Sequence, residues 1–277
     1  MLFRSLESLW LVGDTASCTE DILLSISSLP RLKSLVLDTW SEFLDEFNVA
    51  QQMELPKSLK SVASFDTMDW PLLSRLMCPR GDHCVTNLHL TLRALFQLEG
   101  DPDAVERFNQ YISLLETLSI SSGSATECAI HNHSLHRILS RARSLRRFSL
   151  LATKLHVRHL HLPDTVTVFH FHHERNTPKH YLGTSKHFLV KRDKCLASTI
   201  LVSCPIMPTE PAKSSLREVI LSFMRDKRDF DTDTLTLLKN KIFAKTYTAC
   251  RSAGVELTFK TYACPYFGPL AEEDPFI

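Results

Sequence analysis

The chain has 277 residues, 44% of them apolar, with 32 Lys and Arg against 31 Asp and Glu. That size supports a large core, the apolar content excludes general disorder, and the near-zero charge favours neither nucleic acid nor a membrane surface as partner. Seven glycines with no Gly-x-Gly pair disfavour the phosphate-cradling loops of nucleotide-binding folds. The eight cysteines form no Cys-x-x-Cys, and Leu2 to Val12, with Arg4 and Glu7, does not read as a secretory signal. Reduced thiols in a cytoplasmic or nuclear protein are expected. No apolar run approaches the roughly 18 residues of a membrane span.

One phrase recurs along the chain. It begins as Leu6-Glu7-Ser8-Leu9-Trp10-Leu11 and returns as Leu32-Lys33-Ser34-Leu35-Val36-Leu37, from Leu59 to Ser64, and from Val85 to Leu90. The steps between first residues are 26, 27 and 26. Two steps of 30 reach Leu115 to Ile120 and Leu145 to Leu150, and a step of 21 reaches Val166 to Phe171. A period of 20 to 30 residues is the signature of a repeat architecture. Within each phrase the last two apolar residues are two apart, so they share one side of a short strand. Stacked in parallel, such strands place those residues in one core, and the alternating residues form an open, concave face. Parallel neighbours need a crossover between them, expected on the convex side. Helical spacing occurs where the crossovers belong, over Asp21 to Leu29, Asp103 to Leu114 and Ser134 to Ala142. Leu29-Pro30, Leu55-Pro56 and Leu162-Pro163 stop the return just before the strand.

This phrase resembles that of the leucine-rich-repeat family. The uneven steps, Leu-Pro entries and helical returns are similar to the repeat region of intracellular fungal F-box/leucine-rich-repeat proteins, over roughly residues 5 to 260. Gly13, Asp38 and Thr91 stand where many such repeats carry asparagine. The resemblance implies an α/β solenoid over 1–277 with about nine or ten strands. It also implies a non-catalytic protein-interaction scaffold, of the kind that recognises substrates for an F-box-type ubiquitin ligase. No counterpart of the F-box, the helical module that docks a cullin-ligase adaptor, is visible.

The pattern breaks over 172–215, which reads as an irregular insertion. Between His172 and Cys195 stand six Lys and Arg against Glu174 and Asp193, a charge run expected to be solvated. Ser198 to Ser203 reads as a strand. Leu216 to Leu221 restores the phrase. A long helix is expected over Thr232 to Ala249, with Gly254 as its stop and a last strand over Val255 to Phe259. Residues 260–277 read as a cap or tail.

Seven histidines fall between His159 and His187. Imidazoles at such spacing can hold zinc, which keeps a metal-dependent hydrolase using 156–187 as the rival reading. No His-Glu-x-x-His accompanies them, and no metal site or cofactor is expected. Cys78, His83 and Cys84 read as a loop. No Gly-x-Ser-x-Gly elbow supports a nucleophilic serine, and no catalytic residue is expected. The remaining candidates are partner-binding residues on the concave face: Trp10, Val36, Asp38, His89, Arg147, His170 and His172. Trp and Arg are enriched among residues that carry binding energy. The first strand begins close to Met1 without a polar cap, so its edge is expected to be covered by a partner, a preceding domain or self-association. A truncated fragment without an independent role is the third reading.

Overall fold

From Leu32 to Leu221 the phrase buries its described apolar positions on one side of a short strand, and its first residue turns the chain into that strand. A computed structural model describes residues 5–13, 25–39, 56–64, 85–91, 102–121, 132–151, 160–173, 186–204, 214–224 and 232–262. The chain divides into two compact units, Met1–Thr126 with Leu270–Ile277, and Glu127–Pro269. Both are α/β, and the strands described within each are parallel and follow chain order.

The first unit holds β1 (Ser8–Gly13), β2 (Ser34–Thr39), β3 (Ser61–Ser64), β4 (Asn87–Thr91), helix α1 (Pro102–Ile112) and β5 (Thr117–Ser121). Its register runs Ser8, Ser34, Ser61, Asn87, Thr117 across the five strands. The second holds α2 (Asn132–Arg141), β6 (Arg147–Leu151), β7 (Val168–His173), α3 (Lys186–Ser203), β8 (Glu218–Met224), α4 (Thr232–Leu237), a π-helical turn (Leu238–Ile242), α5 (Ala244–Ala253) and β9 (Glu256–Tyr262). Its register runs Arg147, Val168, Glu218, Glu256.

The core follows the phrase. Leu35, Leu37, Val62, Leu88, Leu90, Leu118 and Ile120 are buried in the first unit, and Phe148, Leu150, Phe169, Phe171, Val219 and Leu221 in the second. Full burial of such a side chain contributes about 1.5–3 kcal/mol. The entry residues Leu32, Leu59, Val85, Leu115, Leu145, Val166 and Leu216 are buried too. The Leu-Pro entries close as turns, with the N–H of Leu59 donating to the carbonyl of Pro56 and that of Val166 to the carbonyl of Pro163, both at 3.0 Å. The Leu29-Pro30 entry is one residue shorter, and Leu32 N–H reaches the Leu29 carbonyl instead.

Every strand entry described after β1, apart from that of β6, hangs on the preceding one through a carbonyl. The Glu7 carbonyl accepts the N–H groups of Lys33 and Ser34, at 2.7 and 3.0 Å. Lys33 accepts from Lys60 and Ser61, Lys60 from Thr86 and Asn87, and Thr86 from Glu116 and Thr117. In the second unit Arg146 accepts from Thr167 and Val168, and Thr167 from Arg217 and Glu218. The entry to β9 departs from this. Only Glu256 N–H reaches Arg217, because Val255 N–H closes the end of α5 on the Cys250 carbonyl. Gly254 supplies the left-handed residue there, at φ 67°, as expected for a helix stop.

Helices α1 and α2 fall where the spacing places them. Of the first expected helix only 25–29 is described, beginning with helical residues 25–27. Two expectations in the second unit are corrected. Ser198 to Ser203 is the last part of α3, not a strand. Its burial shows why: Thr199, Ile200 and Ser203 are buried whereas Leu201 and Val202 are 47% and 41% exposed, a helical rather than an alternating rhythm. Part of the expected irregular insertion is therefore an 18-residue helix. The single helix over Thr232 to Ala249 is interrupted at Phe243, which leaves helical geometry at φ −113°, ψ 35°. The π turn before it places Leu238 and Phe243, five residues apart, in the core together. Phe243 packs against Phe223 and Phe259.

Asp193, read as part of a solvated charge run, is buried and holds α5 in place. Its carboxylate accepts the N–H groups of Lys245 and Thr246 and the Thr246 hydroxyl. Arg192 is buried as well, 5.4 Å over the Phe171 ring. Among the described residues no helix is long and apolar enough to cross a membrane.

Candidate functional site

Because side chains alternate along a strand, the face opposite the core is fixed by the register. In the first unit it carries Trp10, Val36, Ala63, His89 and Ser119 side by side. In the second it carries three rows: Arg147, Val168, Glu218, Glu256; then Ser149, His170, Ile220, Thr258; then Leu151, His172, Ser222, Lys260.

An open face is not found at Val36, His89, His170 and His172, all of which are buried. His89 lies between Ala63 and Ser119 in register, and His170 beside Ser149. Trp10 is 41% exposed and Arg147 is half-buried, so these two stay accessible to a partner. Asp38 belongs to β2, but its side chain lies outside the described residues. The accessible positions in the three rows are Arg147, Leu151, Val168, Glu218, Glu256, Thr258 and Lys260, where the Thr258 hydroxyl donates to Glu218 at 2.9 Å.

The residue that sequence reasoning missed is Ser222. Its Oγ lies 2.8 Å from His170 Nε2 and 2.9 Å from His172 Nδ1, and the two imidazole centroids are 3.7 Å apart. The hydroxyl has one proton to give, so two short contacts couple the tautomers of the rings. Burial first, then the Lys260 ammonium and the Arg147 guanidinium, push His170 down to about 3. Burial alone pushes His89 down to about 3. Both imidazoles are therefore neutral near neutral pH. Ser222 is 0% exposed, so no substrate reaches this hydroxyl in the structure described, and the trio acts as polar packing. The residual signal in the sequence was the pairing itself: Leu216 to Leu221 restores the phrase, and extending it by one residue sets Ser222 beside His172.

Of the other histidines, His161 is exposed beside a cleft of about 370 Å³ that is also lined by His136, Arg143 and Asp164. His159 and His180 lie outside the described residues, as do the side chains of His173 and His187. Among the described residues no group of three or more His, Cys, Asp or Glu is placed to hold a metal ion. Cys78, His83 and Cys84 lie outside the description. Cys204 and Cys250 are buried free thiols. Burial, with Cys204 nearby, pushes the Cys250 thiol up to about 12, so it is unreactive.

The chain matches no protein-family model and no curated protein sequence. The class its fold defines is therefore the coarse one: an α/β protein whose parallel strands follow chain order.

Proposed function

We propose that this protein is a leucine-rich-repeat-like solenoid that works as a non-catalytic protein-binding scaffold inside the cell. The observation that carries the reading is the shared-carbonyl entry, made in the same way at six strand steps whose lengths differ. A geometry that persists through uneven steps is what a stack of equivalent repeats requires. Recognition then rests on the accessible alternate positions, Trp10 in the first unit and Arg147 with its neighbours in the second. The histidines beneath stiffen the face.

The resemblance to fungal F-box/leucine-rich-repeat proteins extends this to substrate recognition for a cullin-type ubiquitin ligase, with any F-box supplied outside this chain. Affinity capture with the full chain, followed by mass spectrometry, tests both levels. A protein retained by the native chain and lost with Trp10→Ala or Arg147→Ala supports the scaffold. Recovery of a cullin and its adaptor in the same eluate supports the ligase role. A retained partner without them rejects the ligase role alone. Equal retention by native and variant chains rejects the recognition surface.

A further inference from the structure

The shared-carbonyl entry leaves two unlike ends. At β1 the core-side residues Leu9 and Leu11 are only half-buried, whereas their counterparts Leu35 and Leu37 on β2 are buried. Trp10, on the opposite face of the same strand, is 41% exposed. At β9 the core-side residues Leu257 and Phe259 are half-buried, whereas Val219 and Leu221 on β8 are buried. Among the described residues each of these strands has a strand neighbour on one side only.

The ends are complementary, not alike. Glu7 and Ser8 occupy the places whose N–H groups, in every later phrase of the unit, donate to a carbonyl of the strand before. Val255 occupies the place whose carbonyl, in earlier phrases, receives such a pair. One end presents donors and the other the acceptor, with Leu9 and Leu11 at the same register as Leu257 and Phe259. We propose that β1 of one copy pairs, parallel and in this register, with β9 of a second copy. The Val255 carbonyl would then receive Glu7 and Ser8 N–H, and the half-buried apolar pairs would cover one another. The occupant is a second copy because both halves of the joint are present on this chain. The inference rests on the repeat reading above. Such a joint is heterologous, pairing one edge with a different one, and it uses edges that otherwise invite unspecific pairing.

Sedimentation velocity of the full chain across a wide concentration range tests it. Concentration-dependent association is expected for the native chain. Leu9→Lys, at the β1 edge, and Leu257→Lys, at the β9 edge, should each weaken it by roughly tenfold or more, since a charge must be buried in an apolar joint. Mixed together, the two variants should form a one-to-one dimer and nothing larger, because each retains one sound edge. Two exposed positions give a test that does not depend on how the lysine variants fold. Ser8→Cys and Glu256→Cys chains, mixed, should form an intermolecular disulfide that neither forms alone, as their positions would be strand neighbours. A monomeric native chain, or cross-linking of either cysteine variant with itself at the same yield, overturns the joint. If such a monomer still captures a protein partner through Trp10 or Arg147, the scaffold reading stands without the joint.

Discussion

The hydroxyl of Ser222 on β8 bridges His170 and His172 on β7, at 2.8 and 2.9 Å. The three side chains are buried and lie on the face where a recognition surface would otherwise be expected. That relationship makes the histidines part of the fold, and it can be measured. Ser222→Ala removes both contacts and leaves two buried ring nitrogens short of a partner, a loss of about 1–3 kcal/mol. Ser149 is a contrast. Its Oγ is buried beside His170 without a hydrogen-bond partner, so Ser149→Ala should be neutral or slightly stabilising. Urea denaturation of the two variants checks the sign of each.

Acid should weaken the fold. His89 and His170 are both held at about 3, against 6.5 for the free side chain. Between these values the unfolded chain binds protons that the folded chain refuses. Stability is therefore unaffected by these groups above the unfolded value and falls as pH drops below it, by at most about 1.4 kcal/mol per pH unit for each histidine. The denaturation midpoint should decline from about pH 7 to about pH 5, and less steeply in His170→Asn. A midpoint that is flat over that interval would show that the imidazoles protonate freely in the fold.

Asp193 makes a long-range cap. Asp193→Ala strips the N–H groups of Lys245 and Thr246 of their acceptor at the start of α5. A lost cap typically destabilises by about 0.5–2 kcal/mol, and the buried Thr246 hydroxyl places this one at the upper end. Amide exchange should localise the damage to 244–253 and the adjoining part of α3. A loss spread evenly over the unit would argue against a local cap.

Equivalent positions in the phrase should not respond equally. Leu35→Ala opens a fully buried site and should lose about 2–5 kcal/mol. Leu9→Ala, one strand earlier and half-buried, should lose clearly less in dilute solution. Thermal denaturation of both variants decides it, and equal losses would mean that β1 is covered as well as β2.

Much of the ladder was legible because leucine spacing reports which side of a strand is buried. Leu35, Leu37, Leu88 and Leu90 needed only the alternation rule. The same rule does not say whether the other side is open. His89 stands at the same place in its phrase as Ala63 and Ser119 in theirs, so its row was legible, but alternation fixes only the side of the strand and not its exposure, and His89 is buried. Ser198 to Ser203 is rich in β-branched residues and reads as a strand, yet packing against α5 from Asp193 onward carries it as a helix. The break at Phe243 is set by the Phe223 and Phe259 rings it joins, again a matter of tertiary contact. Ser222 could be found only by extending the phrase one residue and pairing it with His172.

Recognition of a protein through the accessible alternate positions can be read out by site-specific photocross-linking. A photoreactive residue is placed at Trp10 or Arg147, and for comparison at Lys57, an exposed turn residue beside Pro56. A protein should be cross-linked at 10 or 147 and not at 57. Equal cross-linking at all three positions, or at 57 alone, would contradict it.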